Sequence, residues 1–190
     1  MNKTQRLFVD MDGTLAVFHP VDTLEKLYEK KYFLNLLPQT NVIDGIRFII
    51  ENYPEVEVFV LSAVLSDSPY AISEKNAWLD KYLPEVDVEH RLYPKCGESK
   101  KEFLEREQGG IKQNDFLLDD YSQNLHSWEP PAKGIKVMNG INGKNGTWTK
   151  DKVSIEIEGS KFADCVLSIM RRRIHEEEVN QFYTIKKGGR

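Results

Sequence analysis

The stretch RLFVDMDGTL, Arg6 to Leu15, restricts what this chain can fold into more than any other. Leu7, Phe8 and Val9 form a short apolar run of the kind that fills a buried parallel strand, and it stops abruptly at two carboxylates, Asp10 and Asp12. Side chains alternate along extended backbone, so Asp10 and Asp12 project to one side while Met11 projects to the other, and Gly13 permits a sharp turn. Two carboxylates in one small volume repel, so one must hold a proton or a cation must lie between them. Asp and Gly are also common turn formers, but a plain surface turn seldom follows directly on a fully apolar strand.

The rest of the chain repeats the alternation of strand and helix. From Leu15 to about residue 52 it reads as loop and helix, with Asp22 and Asn41 as candidate N-caps, and an inserted helical cap would fall at approximately 16–52. Val56 to Leu61 reads as a second strand ending at Ser62. Ile72, Trp78, Leu79 and Tyr82 mark AISEKNAWLDKYL as a helix, Val86 to Tyr93 is a weaker third strand, and a further helix starts at Ser99. DFLLDD, 115–120, is again an apolar run ending in two acids, and Gly134 to Met138 reads as a fifth strand. This order predicts an α/β, Rossmann-like fold: one domain over 1–190, with a mostly parallel sheet flanked by helices and a small helical cap inserted after the first strand. In such a sheet the ligand site lies at the carboxyl ends of the strands, where the unusual polar residues fall. Lys161 to Glu178 is an amphipathic helix whose RRRIHEEE segment is a solvated, internally paired face, and 186–190 should fray. NGINGKNGTW is turn chemistry and lacks the spacing of a phosphate-binding loop, which excludes a nucleoside triphosphatase of that type.

Composition narrows the partners. A net charge of −4 argues against a nucleic-acid polymer held on a broad basic face and leaves a small anion in a local basic pocket. Cys96 and Cys165 show neither zinc-site nor disulfide spacing, and reduced thiols fit a cytoplasmic setting. No apolar run approaches membrane length, so no membrane partner is expected, while monomer and homodimer both stay open.

DMDGTLA resembles the first motif of the haloacid dehalogenase superfamily of phosphohydrolases, in the form of its 5′-(deoxyribo)nucleotidase branch, cytosolic type C-like. SEKNAWLDKYL is similar to a segment of that branch, and the likeness spans about Arg6 to Gly140. The resemblance implies that Asp10 is the nucleophile and Asp12 the general acid and base. LLDD resembles the fourth motif, which makes Asp119 a metal ligand together with Asp10 and the backbone carbonyl of Asp12. Asp120 then orients a metal-bound water, although the two roles could be exchanged. Ser62, with the Ala63 amide beside it, resembles the second motif, and Ser66 competes. Lys100 best matches the third-motif lysine, with Lys101 and Lys95 as alternatives. Gly13, Ser62, Ala63 and Lys100 would then grip the phosphate, and Phe18, Tyr32 and Phe33 would contact the rest of the substrate, Phe18 by stacking on a base.

The chemistry agrees with the resemblance. A carboxylate nucleophile splits ester hydrolysis into two easier steps, and a second acid two residues away can serve both. Hard oxygen ligands favour Mg2+ over zinc, and His19, His90, His126 and His175 are dispersed. The expected function is Mg2+-dependent phosphomonoester hydrolysis through an aspartyl-phosphate, acting on (deoxy)ribonucleoside monophosphates. A sugar phosphate or another small phosphomonoester is the alternative substrate, and a non-catalytic phospholigand-binding protein is the alternative class.

Overall fold

The computed structural model describes residues 5–19, 21–141 and 146–188, with side chains as far as residue 180. Its strands are β1 (Gln5–Val9), β2 (Val56–Leu61), β3 (Arg91–Leu92), β4 (Asp115–Asp119), β5 (Lys133–Met138) and β6 (Lys152–Ser154). They form one six-stranded sheet in the order β3-β2-β1-β4-β5-β6, and every pairing is parallel. Helices α1 (Thr40–Asn52), α2 (Ala71–Tyr82), α3 (Lys100–Glu107), α4 (Ser122–Trp128) and α5 (Gly159–Gly188) supply the connections and flanks. The order reverses between β1 and β4, and in open parallel sheets that switch point opens a crevice at the carboxyl ends.

The predicted alternation in β1 sorts the core into two layers. Leu7 and Val9 join Val58, Val60, Phe116 and Leu118 against α1, α2 and α5, through side chains such as Ile46, Trp78 and Phe162. Phe8 faces the other way, with Phe59, Leu61 and Leu117, against Leu104 of α3 and Leu125 and Trp128 of α4. Both faces are covered, which is why these strands read as unbroken apolar runs.

Several expectations shift in detail. The third strand is only Arg91–Leu92, because Asp87 caps a short 3-10 turn over Val88–His90 and removes the preceding residues from the sheet. β6 and α4 had no sequence signal strong enough to place them. The segment 16–52 divides in two: Thr40–Asn52 is α1, packed on the sheet and on α5, and only the stretch before it rises above the strand ends. That cover carries a 3-10 helix, Leu24–Tyr28, and is pinched at its base where Val17 N–H donates to Leu37 O at 2.7 Å and Gln39 N–H to Leu15 O at 2.8 Å. Neither suggested N-cap acts as one: Asp22 pairs with Lys26, and Asn41 lies inside α1 and donates to Ile155 O. Helix α5 begins at Gly159 and runs to Gly188, into the tail expected to fray; residues 189–190 and the turn-rich 142–145 lie outside the described residues. Among the described residues no helix is long and apolar enough to cross a membrane.

Helices α1 and α5 meet at Gly45, where an added Cβ would lie 2.7 Å from the Phe162 ring and 2.8 Å from Gly159 O. Gly45→Ala should therefore cost about 1–3 kcal/mol in urea unfolding through overpacking, despite the better helix propensity of alanine. Unchanged or raised stability would show that the two helices separate freely.

Candidate active site

The strand register builds the site. Val9 lies beside Leu118 in the β1–β4 pairing and beside Val60 in the β1–β2 pairing, so the next residue, Asp10, arrives next to Asp119, with its N–H donating to Leu118 O at 2.9 Å. The chain then turns at Gly13, whose φ of 88° and tight approach to Asp120 both require glycine: an added Cβ would lie 2.6 Å from Asp120 Oδ2. Asp10, Asp119 and Asp120 are buried, and each offers an oxygen within 4.8 Å of the others.

One ammonium is shared between two of these acids. Lys100, 3% exposed at the start of α3, donates to Asp10 Oδ1 at 2.6 Å and to Asp119 Oδ2 at 2.7 Å. Lys101 turns away to Pro130 O, and Lys95 is exposed, which selects Lys100 among the three lysines. Asp119 also accepts from Tyr121 N–H and from Asn124 Nδ2, while Asn139 Nδ2 bridges Asp120 Oδ2 and Gly13 O. Lys136 bonds the Asp120 backbone carbonyl and Ser122 Oγ.

Burial raises the Asp10 carboxyl far above its ordinary range, against the pull of Lys100 and with the repulsion of Asp119, Asp12 and Asp120 behind it. Burial also disfavours the Lys100 ammonium, but Asp10 and Asp119 outweigh that and raise its pKa. The two shifts agree physically, because one ammonium divided between two carboxylates cannot balance both. Asp120 is pushed up to about 6, first by burial and then by Asp119, with Asn139, Lys100 and Lys136 opposing. The cluster lacks positive charge, and its donors are all hard oxygens. That combination fits a small divalent cation held by Asp10, Asp119 and Asp120.

These groups form the floor of a cavity of about 380 Å3. Asp10, Asp12, Lys100, Asp119 and Asp120 reach it, with Ala63 and Asn124 at its side and Phe18 and Phe33 among its apolar walls. Three expected contacts take other forms. Gly13 N–H is spent on Ala16 O, so Gly13 supplies the turn rather than a donor for phosphate. Tyr32 is off the cavity wall and packs edge-on against Phe33, ring centroids 5.0 Å apart, so it backs the wall residue. Ser62 is fully buried beneath Ala63, and Ser66 is exposed. The Ser62 and Val64 amides, on either side of Ala63, donate to the Leu92 and Pro94 carbonyls.

Sequence reasoning missed Lys75, Asn124 and Asn139. Asn124 and Asn139 gave no signal, since a lone Asn in a polar stretch is ordinary. Lys75 did leave a trace: it lies four residues from both Ala71 and Leu79 and three from Trp78, on the stripe of α2 where an apolar residue belongs. Its Nζ donates to Asp12 Oδ2 at 2.5 Å, Ser62 Oγ at 2.8 Å and Ala63 O at 2.9 Å.

No protein-family model and no curated protein matches this chain. Among solved structures, D,D-heptose 1,7-bisphosphate phosphatase from Burkholderia thailandensis is similar, with a TM-score of 0.54 and 16% identity over 86% of this chain and 99% of that one. DsGPDH of Dunaliella salina aligns with a TM-score of 0.46 and 13% identity over 80% of this chain and 27% of that one. The first likeness shows the fold, a Rossmann-like parallel sheet with helices on both faces.

The crowded acids carry a stability signature. A carboxyl whose folded pKa is raised contributes stability fully below its unfolded pKa and loses it as pH rises through the folded value. For Asp120 that loss runs from about 4 through about 6, and Asp10 extends it upward. The Tm of chelator-treated protein should fall between about pH 5 and about pH 8, and Mg2+ should raise it by an amount that grows over the same interval. A Tm indifferent to Mg2+ across that range would remove the cation site.

Proposed function

We propose that this protein is a Mg2+-dependent phosphomonoester hydrolase of the haloacid dehalogenase type, acting on nucleoside 5′-monophosphates through an aspartyl-phosphate. The observation that carries this reading is the meeting of Asp10 and Asp12 in one cavity, with Lys100 joining Asp10 to Asp119. The sequence motifs and a fold shared with a phosphatase support it.

Lys100 holds Asp10 Oδ1 and leaves Oδ2 to attack phosphorus. The Oδ2–P bond forms as the ester P–O bond breaks, and Asp12 gives its proton to the departing alcohol oxygen. In the second half Asp12, now a carboxylate, takes a proton from water while that water's oxygen attacks phosphorus. The Asp10–P bond breaks, phosphate leaves and Asp10 is restored. Lys100 and the Ala63 amide hold the equatorial oxygens through both halves. A bound Mg2+ adds positive charge beside those oxygens.

Substrate class follows from the walls. Phe18, Leu27, Phe33, Val64, Leu65 and Ile141 make the space above the acids apolar, and among the described lining residues Lys100 is the one cation. A single phosphate on the floor with an aromatic base above it satisfies both halves of this cavity. A bisphosphate would bring a second dianion to a wall that has no second cation for it among those residues. The substrate named for the similar heptose bisphosphate phosphatase belongs to the alternative class, the sugar phosphates.

A panel of phosphomonoesters assayed with Mg2+ should show nucleoside monophosphates preferred over sugar phosphates, and chelation should stop turnover. Asp10→Asn should abolish hydrolysis of every ester with the fold intact by circular dichroism; appreciable residual turnover would remove Asp10 as nucleophile. Phe18→Ala should lower kcat/KM for nucleotides by about tenfold, the equivalent of ~1.4 kcal/mol of lost stacking, and change a small generic phosphoester little. Equal losses on both substrates would mark Phe18 as a packing residue and move the assignment to sugar phosphates.

A further inference from the structure

We infer that Lys75 is a positioning residue for the general acid: one buried ammonium holds the Asp12 carboxylate in place and ties it to Ser62 and the Ala63 carbonyl. The inference rests on the phosphohydrolase reading above. Lys75 is completely buried and does not line the cavity, so it does not touch the substrate itself. Its three ammonium hydrogens are matched to three acceptors, Asp12 Oδ2, Ser62 Oγ and Ala63 O, and the Phe33 ring lies 4.8 Å from Nζ. A buried ammonium persists only where it is so paired, and a stripe position on α2 would otherwise take an apolar side chain.

Two consequences follow from the donors and acceptors. Among the described residues Lys75 is the one hydrogen-bond partner of the Asp12 carboxylate, and Asp12 Oδ1 is buried without any. That single ammonium therefore sets the orientation of the Asp12 carboxylate at the edge of the cavity. Ser62 Oγ likewise accepts from Lys75, so the same ammonium ties Asp12 to the end of β2. The neighbouring Glu74 accepts from the Lys31 and Phe33 amides of the cover. One turn of α2 therefore holds the acid and the roof above it together.

The test separates the proton donor from the phosphate grip. An alkyl phosphate needs a proton on its leaving oxygen, whereas p-nitrophenyl phosphate expels a stable phenolate and needs none, and kcat/KM reports the steps through departure of that group. Lys75→Met should lower kcat/KM for an alkyl monophosphate by on the order of 100-fold and for p-nitrophenyl phosphate by roughly tenfold or less. Both substrates are read on the same preparation, so partial loss of folded enzyme cancels in their ratio. Lys75→Gln, which keeps a donor without the charge, is measured in the same way should Met prevent folding. In an Asp12→Asn background the alkyl-to-aryl ratio should not fall further when Lys75→Met is added, because Lys75 acts through Asp12. Equal losses on the two substrates, or ratios that multiply in the double variant, would reduce Lys75 to a packing role. Wild-type protein that turns over neither ester would refute the phosphohydrolase reading itself.

Discussion

The parallel register between β1 and β4 is the constraint on which the remainder depends. Because Val9 stands beside Leu118, two strands that are apolar to their last residue deliver Asp10 and Asp119 to the same point. No local preference demands this; it follows from pairing two LFV-like and FLL-like runs with their buried faces aligned, since a slip of one residue would turn every side chain over. Once the acids meet, the neighbouring requirements are electrostatic. A cation must reach them, a glycine must let Asp120 close over the turn, and Asn139 must tie that turn to β5's end.

The positive charge is divided in a way that separates tasks. Lys100 stands between Asp10 and Asp119, on the side of the sheet packed by α3, and offsets the charge of both carboxylates. Lys75 comes from α2, which packs on the other face through Trp78 and Leu79, and serves Asp12 and Ser62. The two carboxylates of the DMD motif therefore answer to different helices on opposite faces of the sheet.

The architecture was legible in the sequence because it rests on long apolar runs whose period is strong. β1, β2, β4 and β5 fall where such runs stop, and α2 and α3 follow their own periodicity. Arg91–Leu92 and Lys152–Ser154 are too short to carry a pattern, and each forms because a neighbouring edge offers it hydrogen bonds. The acids, Ser62 and Lys100 were legible because they terminate strands or begin a helix. Tyr32 was misjudged because an aromatic in a cover can face the cavity or support the residue that does, and only packing against Phe33 decides. Lys75 was passed over for the opposite reason: lysine on a helix is usually solvated, and its burial shows only when the stripe positions are compared with their contents.

The floor and the roof of the cavity carry different kinds of information. Strand ends supply the floor, and likeness of fold to a heptose bisphosphate phosphatase speaks to the sheet that carries it and not to the roof. The roof is made by the cover before α1, which hangs from the core by the paired backbone at Val17 and Gln39, by Trp78 Nε1 on Leu36 O and by Glu74 on the Phe33 amide. Those ties hold Phe33 in place while Phe18 and Leu27 face the same space. A roof of rings and aliphatic chains offers few hydrogen-bond partners to a second charge or to hydroxyl groups. The cover between Ala16 and Gln39 is thus tied to the sheet through α2, by Trp78 and Glu74, and the same helix carries Lys75 to Asp12.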